Sequence, residues 1–296
     1  MDGATQLPRL KPWASKGSSW QFLPRLKSWV SLPNGIMTGE IRNQDCAAGL
    51  VYVETGSVGL VVTSPPYWSC KDYEIDGQIG YGQTEEGYLL SMREILMQMH
   101  RVLGPGCRAA INIGDQYLRA ADHGRYRVMP IPAHLTTMGI EVGFDYMGGI
   151  IWNKISTTRT TGGCSLMGSM YHPKDGHVTY EHEFILLFKK QGKAKRPSKK
   201  DLELSRLTKE ERLSWFRGVW SDVRPVRQDE HPAAFPIEIP RRLIRMYSFH
   251  GETVLDPFMG SGSTAVAAKM EGRNWLGFEI SPEFCALAER RLEETS

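Results

Sequence analysis

From about residue 36 onward, short apolar runs alternate with stretches in which apolar side chains return every three or four residues. The first pattern marks buried strands and the second helices with one face in a core. Val58 to Thr63 (VGLVVT) reads as a buried strand. Tyr88 to Leu103 has helical spacing, through Leu89, Met92, Ile95, Leu96, Met99 and Leu103, and stops at Gly104-Pro105. Strands are predicted at Cys107–Ile113, Tyr146–Trp152, Phe184–Phe188, Thr253–Leu255 and Trp275–Glu279. Helices are predicted at Pro130–Met138, Lys209–Phe216, Ile237–Tyr247, Ser263–Glu271 and Pro282–Glu293. This alternation predicts an α/β fold with a mostly parallel sheet covered by helices on both faces.

Two segments break the rhythm. In the first 35 residues LPRLKPW (Leu7–Trp13) recurs sixteen residues later as LPRLKSW (Leu23–Trp29), punctuated by Pro and Gly. It reads as a peripheral extension, with an arm laying Arg, Lys and Trp on DNA as the alternative. Residues 155–180, rich in Thr, Gly and Ser, separate two predicted strands, and a long loop inside a compact domain is usually functional.

Charge sharpens this division. The net charge is only +3, yet residues 189–227 hold 13 Lys or Arg against 5 Asp or Glu, and residues 1–35 hold 5 against 1. Two basic segments on an acidic body suggest a polyanionic partner. Five scattered cysteines without a CxxC pair argue against a disulfide framework and a zinc site, so no metal is expected. No apolar run reaches the ~18 residues of a membrane span and no signal peptide is evident, so the expected location is cytoplasmic.

Two loops carry the candidate chemistry. DPFMGSGST (Asp256–Thr264) follows a strand and opens a helix. Its glycines permit a tight turn and close approach of a ligand, while the helix start offers free N–H groups. Glu279 ends the next strand, where an acid is placed to hold a ribose. The Lys-[Ser/Thr] of a P-loop is missing. The second loop, TSPPYW (Thr63–Trp68), also follows a strand. Its prolines stiffen the backbone and present carbonyls, Ser64 adds an acceptor, and Tyr67 and Trp68 add aromatic faces. Such a cluster suits a planar base bearing an amino group.

Together these loops resemble the β-type amino-DNA methyltransferases, in which the S/D/N-PP-Y loop comes first and the cofactor loop last. The resemblance covers residues 36–296 except the basic insertion, and extends to HPAAFPIEIPRRLI (His231–Ile244), GGIIWNK (Gly148–Lys154) and HEFILLFKK (His182–Lys190). It implies a Rossmann-like S-adenosylmethionine-dependent methyltransferase fold with a small target-recognition insertion. The implied division is an extension (1–35), a catalytic part (36–188), a basic target-recognition insertion (189–230) and a cofactor-binding part (231–296). The implied catalytic residues are Ser64, Pro65, Pro66 and Tyr67. Those implied for S-adenosyl-L-methionine are Asp45, His231, Asp256, Phe258, Gly260, Ser261, Ser263 and Glu279. Asp45 stands in NQDC where relatives have GDC, and Ser263 where they have Thr.

The implied substrate is double-stranded DNA, with Trp68, Arg119, Arg159 and Arg224 as candidate contacts. A cognate restriction endonuclease on the same site and a homodimer are the further partners considered. Ser rather than Asp before Pro-Pro-Tyr favours cytosine N4 over adenine N6 within the family. Cytosine C5 chemistry needs a Cys nucleophile, and no Pro-Cys pair occurs. A protein glutamine methyltransferase and a DNA-binding protein with a degenerate site are the readings from other classes. Asp115, ending INIGD, is a candidate for orienting the base or a simple loop cap.

Overall fold

The computed structural model describes residues 39–154, 172–174, 178, 181–225 and 236–295. The N-terminal repeat, the loop around Arg159 and the segment containing His231 lie outside the described residues. The strands are Glu40–Asn43 (β1), Val58–Thr63 (β2), Leu103–Ile113 (β3), Gln116–Leu118 (β4), Arg127–Met129 (β5), Phe144–Asn153 (β6), His182–Lys190 (β7), Val219–Trp220 (β8), Thr253–Asp256 (β9) and Asn274–Glu279 (β10). The helices are Cys46–Leu50 (α1), Glu85–Val102 (α2), Ala120–His123 (α3), Ile131–Val142 (α4), Lys199–Leu204 (α5), Lys209–Trp215 (α6), Glu238–Tyr247 (α7), Ser263–Met270 (α8) and Pro282–Glu294 (α9).

Eight strands form one sheet in the order β1-β10-β9-β2-β3-β7-β6-β8, and β4 pairs with β5 in a separate hairpin. β7 runs antiparallel to both its neighbours, and every other pair in the large sheet is parallel. Every residue of β2 is buried, because helices cover both faces. Val58 and Val61 join the core beneath α1, α2 and α4, while Leu60 and Val62 join the core beneath α7 and α8. Leu60, Val61 and Val62 thus alternate between two cores, and an irregularity between Val58 and Leu60 sets Val58 on the same side as Val61.

The ends of the helices follow local chemistry. Thr84 caps α2 by accepting from Gly87 N, and Glu85 and Glu86 sit in its first turn, where the helix dipole favours negative charge. Thr208 and Glu211 form a reciprocal capping box at the start of α6. α8 begins at Gly262, whose φ of +82° is left-handed, and an added Cβ there would lie 2.7 Å from Ala288 Cβ.

The apolar periodicity locates the long strands and helices within a few residues. It misses β1, α1, the β4–β5 hairpin with α3, α5 and β8, all short elements with few apolar positions to establish a period. The basic stretch also differs from a free insertion. β8 pairs with β6, Trp215 and Trp220 are buried, and the Trp220 indole donates to the Trp215 carbonyl at 2.8 Å. Arg242 of α7, itself buried, pairs with Asp222 at 2.6 Å, and Arg245 pairs with Glu211 at 2.9 Å. Two tryptophans and these ion pairs fix this part of the chain to the body.

The β6–β7 connection leaves and re-enters the sheet at one point, because Lys154 N donates to the Glu181 carbonyl at 2.8 Å. Among the described residues, no helix is long and apolar enough to cross a membrane.

Burial of Trp220 makes a direct stability prediction. Trp220→Ala should lower unfolding stability by about 3–5 kcal/mol, measured by urea denaturation. A loss below about 1 kcal/mol would show that β8 is not part of the core.

Candidate active site

β9 lies beside β2, with Leu60 opposite Val254 and Val61 opposite Leu255. Their carboxyl ends are therefore adjacent, although the loops that follow are far apart in sequence. The chain runs from β2 to β3 on one side and from β9 to β10 on the other, so the gap between these loops is a topological switch point. A cavity of about 410 Å³ opens there.

The fixing element is Asp256. It is fully buried, and its carboxylate accepts from the Thr63 hydroxyl at 2.6 Å, the Thr264 hydroxyl at 2.6 Å and Phe258 N at 3.0 Å. Thr63 immediately precedes Ser64, while Phe258 and Thr264 belong to the glycine-rich turn. One side chain thus ties both loops together. Burial pushes its carboxyl up to about 6 against the lowering effect of three donors. Asp256 is absent from the cavity wall. Its place is behind the wall, next to the lining residues Pro257 and Phe258.

Glu279 ends β10 on the cavity wall, where its carboxylate accepts from Gly260 N and Ser281 N, each at 2.8 Å. Gly260 adopts a left-handed φ of +52°. Asp45, which caps α1 by accepting from Ala47 N, also lines the cavity, as do Phe258, Ser261 and Ser263. Phe278 and Phe284 add aromatic surface to the same wall. Two carboxylates beside aromatic and apolar surface fit a nucleoside: acids for ribose hydroxyls and the adenine amine, rings for the purine. The donor set therefore fits S-adenosyl-L-methionine.

Ser64, Pro65, Pro66 and Tyr67 form the facing wall. Tyr88, fully buried on α2, donates its hydroxyl to the Pro66 carbonyl at 2.8 Å, which fixes the loop from beneath. The Tyr67 hydroxyl is hydrogen-bonded to Ser64 and Glu183. Burial, reinforced by the Glu183 carboxylate, holds the Tyr67 phenol well above its ordinary pKa, so it stays neutral. Trp68 also lines the cavity, but the residue is 5% exposed and its indole N–H is donated to the Gln83 carbonyl at 2.9 Å, so it braces the loop from the core.

Arg119 and Arg224 are exposed and lie outside the cavity wall, and Arg119 pairs with Asp122 at 2.9 Å. His231 and Arg159 lie outside the described residues. Asp115 is half-buried beyond β3 and does not line the cavity. Among the wall residues that the motifs do not single out are the polar Asn112, Glu183 and Lys154. Their signal was present, since Asn112 interrupts the apolar run of β3 and Glu183 opens that of β7; a polar residue inside a buried strand needs a reason.

A central sheet with ligand-binding loops at one edge, and a nucleoside cradle facing a proline-stiffened acceptor loop, define a nucleotide-cofactor-dependent transferase acting on an amine. The family profile described as DNA methylase matches residues 58–290, and the chain belongs to this family, within its β-type amino-methylating group. It is 35% identical over 262 residues to the type II methyltransferase M.MthZI of Methanothermobacter thermautotrophicus, covering 81% of this chain and 72% of the relative. It is 34% identical over 294 residues to the type II methyltransferase M.MjaI of Methanocaldococcus jannaschii, covering 89% and 92%. Among solved structures, the Thermus thermophilus protein TTHA0409 complexed with S-adenosyl-L-methionine matches with a TM-score of 0.71, at 34% identity over 87% of this chain and 95% of that one. The PvuII DNA methyltransferase (cytosine-N4-specific) shares the fold at a TM-score of 0.64 and 20% identity, over 86% of each chain. The protein is thus a DNA methyltransferase of the N6/N4 type that uses S-adenosyl-L-methionine.

Because the folded chain holds its Asp256 proton to about pH 6, the unfolded chain ionises this group first. Its contribution to stability is present below about pH 4 and is lost as pH rises through about 6. The stability of wild type relative to Asp256→Asn should therefore fall between those pH values, by on the order of 3 kcal/mol. Parallel curves in urea titrations across this range would show that the carboxyl is not held protonated.

Proposed function

We propose that this chain transfers the methyl group of S-adenosyl-L-methionine to N4 of a flipped-out cytosine at a specific site in double-stranded DNA. Ser64 carries the reading. It puts a hydroxyl, not a carboxylate, at the head of the Pro-Pro-Tyr loop on the cavity wall, opposite the nucleoside cradle. The Pro66 carbonyl already accepts from Tyr88, which leaves the Ser64 hydroxyl and the Pro65 carbonyl as acceptors on the loop.

A base stacked in a duplex cannot enter a cavity walled on both sides by protein loops, so the target nucleotide must leave the helix. Tyr67 stacks on the extruded base, its ring held in place by the bonds of its hydroxyl. The amino nitrogen of cytosine is a weak nucleophile because its lone pair is delocalised into the ring. Acceptance of its two N–H groups by Ser64 and the Pro65 carbonyl favours a pyramidal nitrogen, with the lone pair turned toward the nucleoside cradle. Asp45, Glu279 and the Gly260 turn would hold S-adenosyl-L-methionine, which would supply an electrophilic methyl and leave as S-adenosyl-L-homocysteine when its sulfur–methyl bond breaks. Positioning of nitrogen and methyl in line then accounts for most of the rate, and the product amine loses its proton to water. Arg119 and Arg224, both exposed, hold phosphates and supply register without reading sequence. A cognate restriction endonuclease is the natural partner of such an activity, in keeping with relatives named type II methyltransferases. The runner-up reading is methylation of adenine N6.

The test is to incubate DNA with methyl-labelled cofactor and digest it to nucleosides. Label in N4-methylcytosine is expected. Label in N6-methyladenine would replace cytosine by adenine in the reading, and label in protein alone would overturn it. Ser64→Ala should lower kcat by about 10²–10³-fold and leave cofactor affinity, measured by calorimetry, unchanged.

A further inference from the structure

Behind the acceptor loop lies a polar cluster that the mechanism above does not use. Glu183, at the start of β7, is 8% exposed and is its hub. One carboxylate oxygen accepts from Lys154 Nζ at 2.6 Å, and the other from Asn112 Nδ2 at 2.6 Å. The Tyr67 hydroxyl is bonded to the same carboxylate. The remaining Asn112 amide hydrogen points between the Tyr67 hydroxyl, at 3.3 Å, and Ser64 Oγ, at 3.5 Å. Lys154 also lies over the ring of Trp152, 5.7 Å from its centroid, and both line the cavity.

Asn112 is 2% exposed, and among the described residues its Oδ1 has no hydrogen-bond partner. Two other buried side-chain atoms share that status, on Arg245 and Trp275, and neither residue lines the cavity. A buried carbonyl without a donor costs about 1–3 kcal/mol, so its retention asks for a donor that arrives with a ligand. The amide cannot simply turn over. An ionised carboxylate only accepts, and a flip would set the Asn112 oxygen against Glu183 at hydrogen-bond distance. Lys154 pairs directly with Glu183 at 2.6 Å. The carboxylate therefore dictates which end of the amide is left over, and that end is an acceptor.

We propose that Asn112 Oδ1 is a further acceptor at the amino group of the target base, sharing one of its two N–H groups with the Pro-Pro-Tyr loop in a three-centre bond, and that Glu183, pinned by Lys154, is the positioning residue that fixes its orientation. This rests on the amine-methylation reading above. The amine has two hydrogens, so the additional acceptor takes part in a three-centre bond, which narrows the orientations open to the nitrogen and leaves its lone pair unopposed. Asn112 acts on the substrate itself; Glu183 acts only through Asn112 and Tyr67. The charged and titratable groups facing Glu183 are Lys154 just after β6 and Tyr67 and Cys70 on the loop after β2, with Lys71 beyond Cys70.

Hydrogen-bond polarity can be tested by exchanging the two side chains. Glu183→Gln removes the demand for an N–H, lets the Asn112 amide turn, and should lower kcat about 10–100-fold. Asn112→Asp places two carboxylates in contact, which must share one proton. The protonated aspartic acid donates to Glu183 and keeps an acceptor toward the cavity. Its kcat should therefore follow a falling limb as pH rises, about tenfold per unit above the apparent pKa of the pair, a limb absent from wild type. The double variant N112D/E183Q restores one carboxylate and one amide with the acceptor on the same side, and at about pH 8 it should exceed both single variants.

These rates are read as single-turnover transfer of labelled methyl to DNA from a host lacking this activity, with cofactor affinity and thermal unfolding measured alongside. Single variants at the wild-type rate and pH profile, or a double variant no better than the poorer single one, would overturn the proposal. If Glu183→Gln does not fold, the Asn112→Asp profile decides alone. Absence of transfer by wild type itself would instead overturn the amine-methylation reading, and this proposal with it.

Discussion

One buried carboxylate holds the two halves of the reaction in register. Asp256 ties Thr63, at the end of β2, to Phe258 and Thr264 in the turn after β9. Sheet pairing brings the two strand ends side by side, but pairing alone leaves the loops beyond them free to diverge. The bonds to Asp256 remove that freedom at the place where an acceptor loop and a nucleoside cradle must face each other. An in-line transfer is sensitive to displacements of about an ångström, which gives a physical reason to bury a carboxylate despite the desolvation that raises its pKa.

Around this tie, the wall is assembled at one edge of the sheet. β1, β10, β9, β2 and β3 deliver their carboxyl ends there, and β6 does the same with Lys154. The reversed strand β7 instead delivers its beginning, which places Glu183 among them. An antiparallel strand thus contributes a side chain to a cavity otherwise built from the far ends of parallel ones. From beneath, Tyr88 and Trp68 brace the Pro-Pro turn through its carbonyl and through the core.

Much of this was legible in the sequence. Buried strands flanked by amphipathic helices fixed the layers, because an apolar run covered on both faces reads differently from an alternating one. The two loops stood out because prolines and glycines there have backbone reasons to occur. Motif membership says that a residue belongs to a loop, not which way its side chain points: Trp68 lines the cavity while its indole is anchored in the core, and Asp256 sits behind the wall. Asn112 and Glu183 each look like an isolated polar residue in the sequence until the pairing of β3 with β7 brings them together. Charge counts in the basic stretch are likewise blind to the two tryptophans that root it.

The backbone contact between Lys154 and Glu181 has an evolutionary consequence. The chain departs and returns at adjacent atoms, so loop-closure cost grows only slowly with the length of what lies between. Insertions, deletions or wholesale replacement between these two points leave the β6–β7 register, and with it Lys154 and Glu183, undisturbed. Descendants of this scaffold can acquire new segments at the rim of the cavity while the apparatus inside is inherited unchanged.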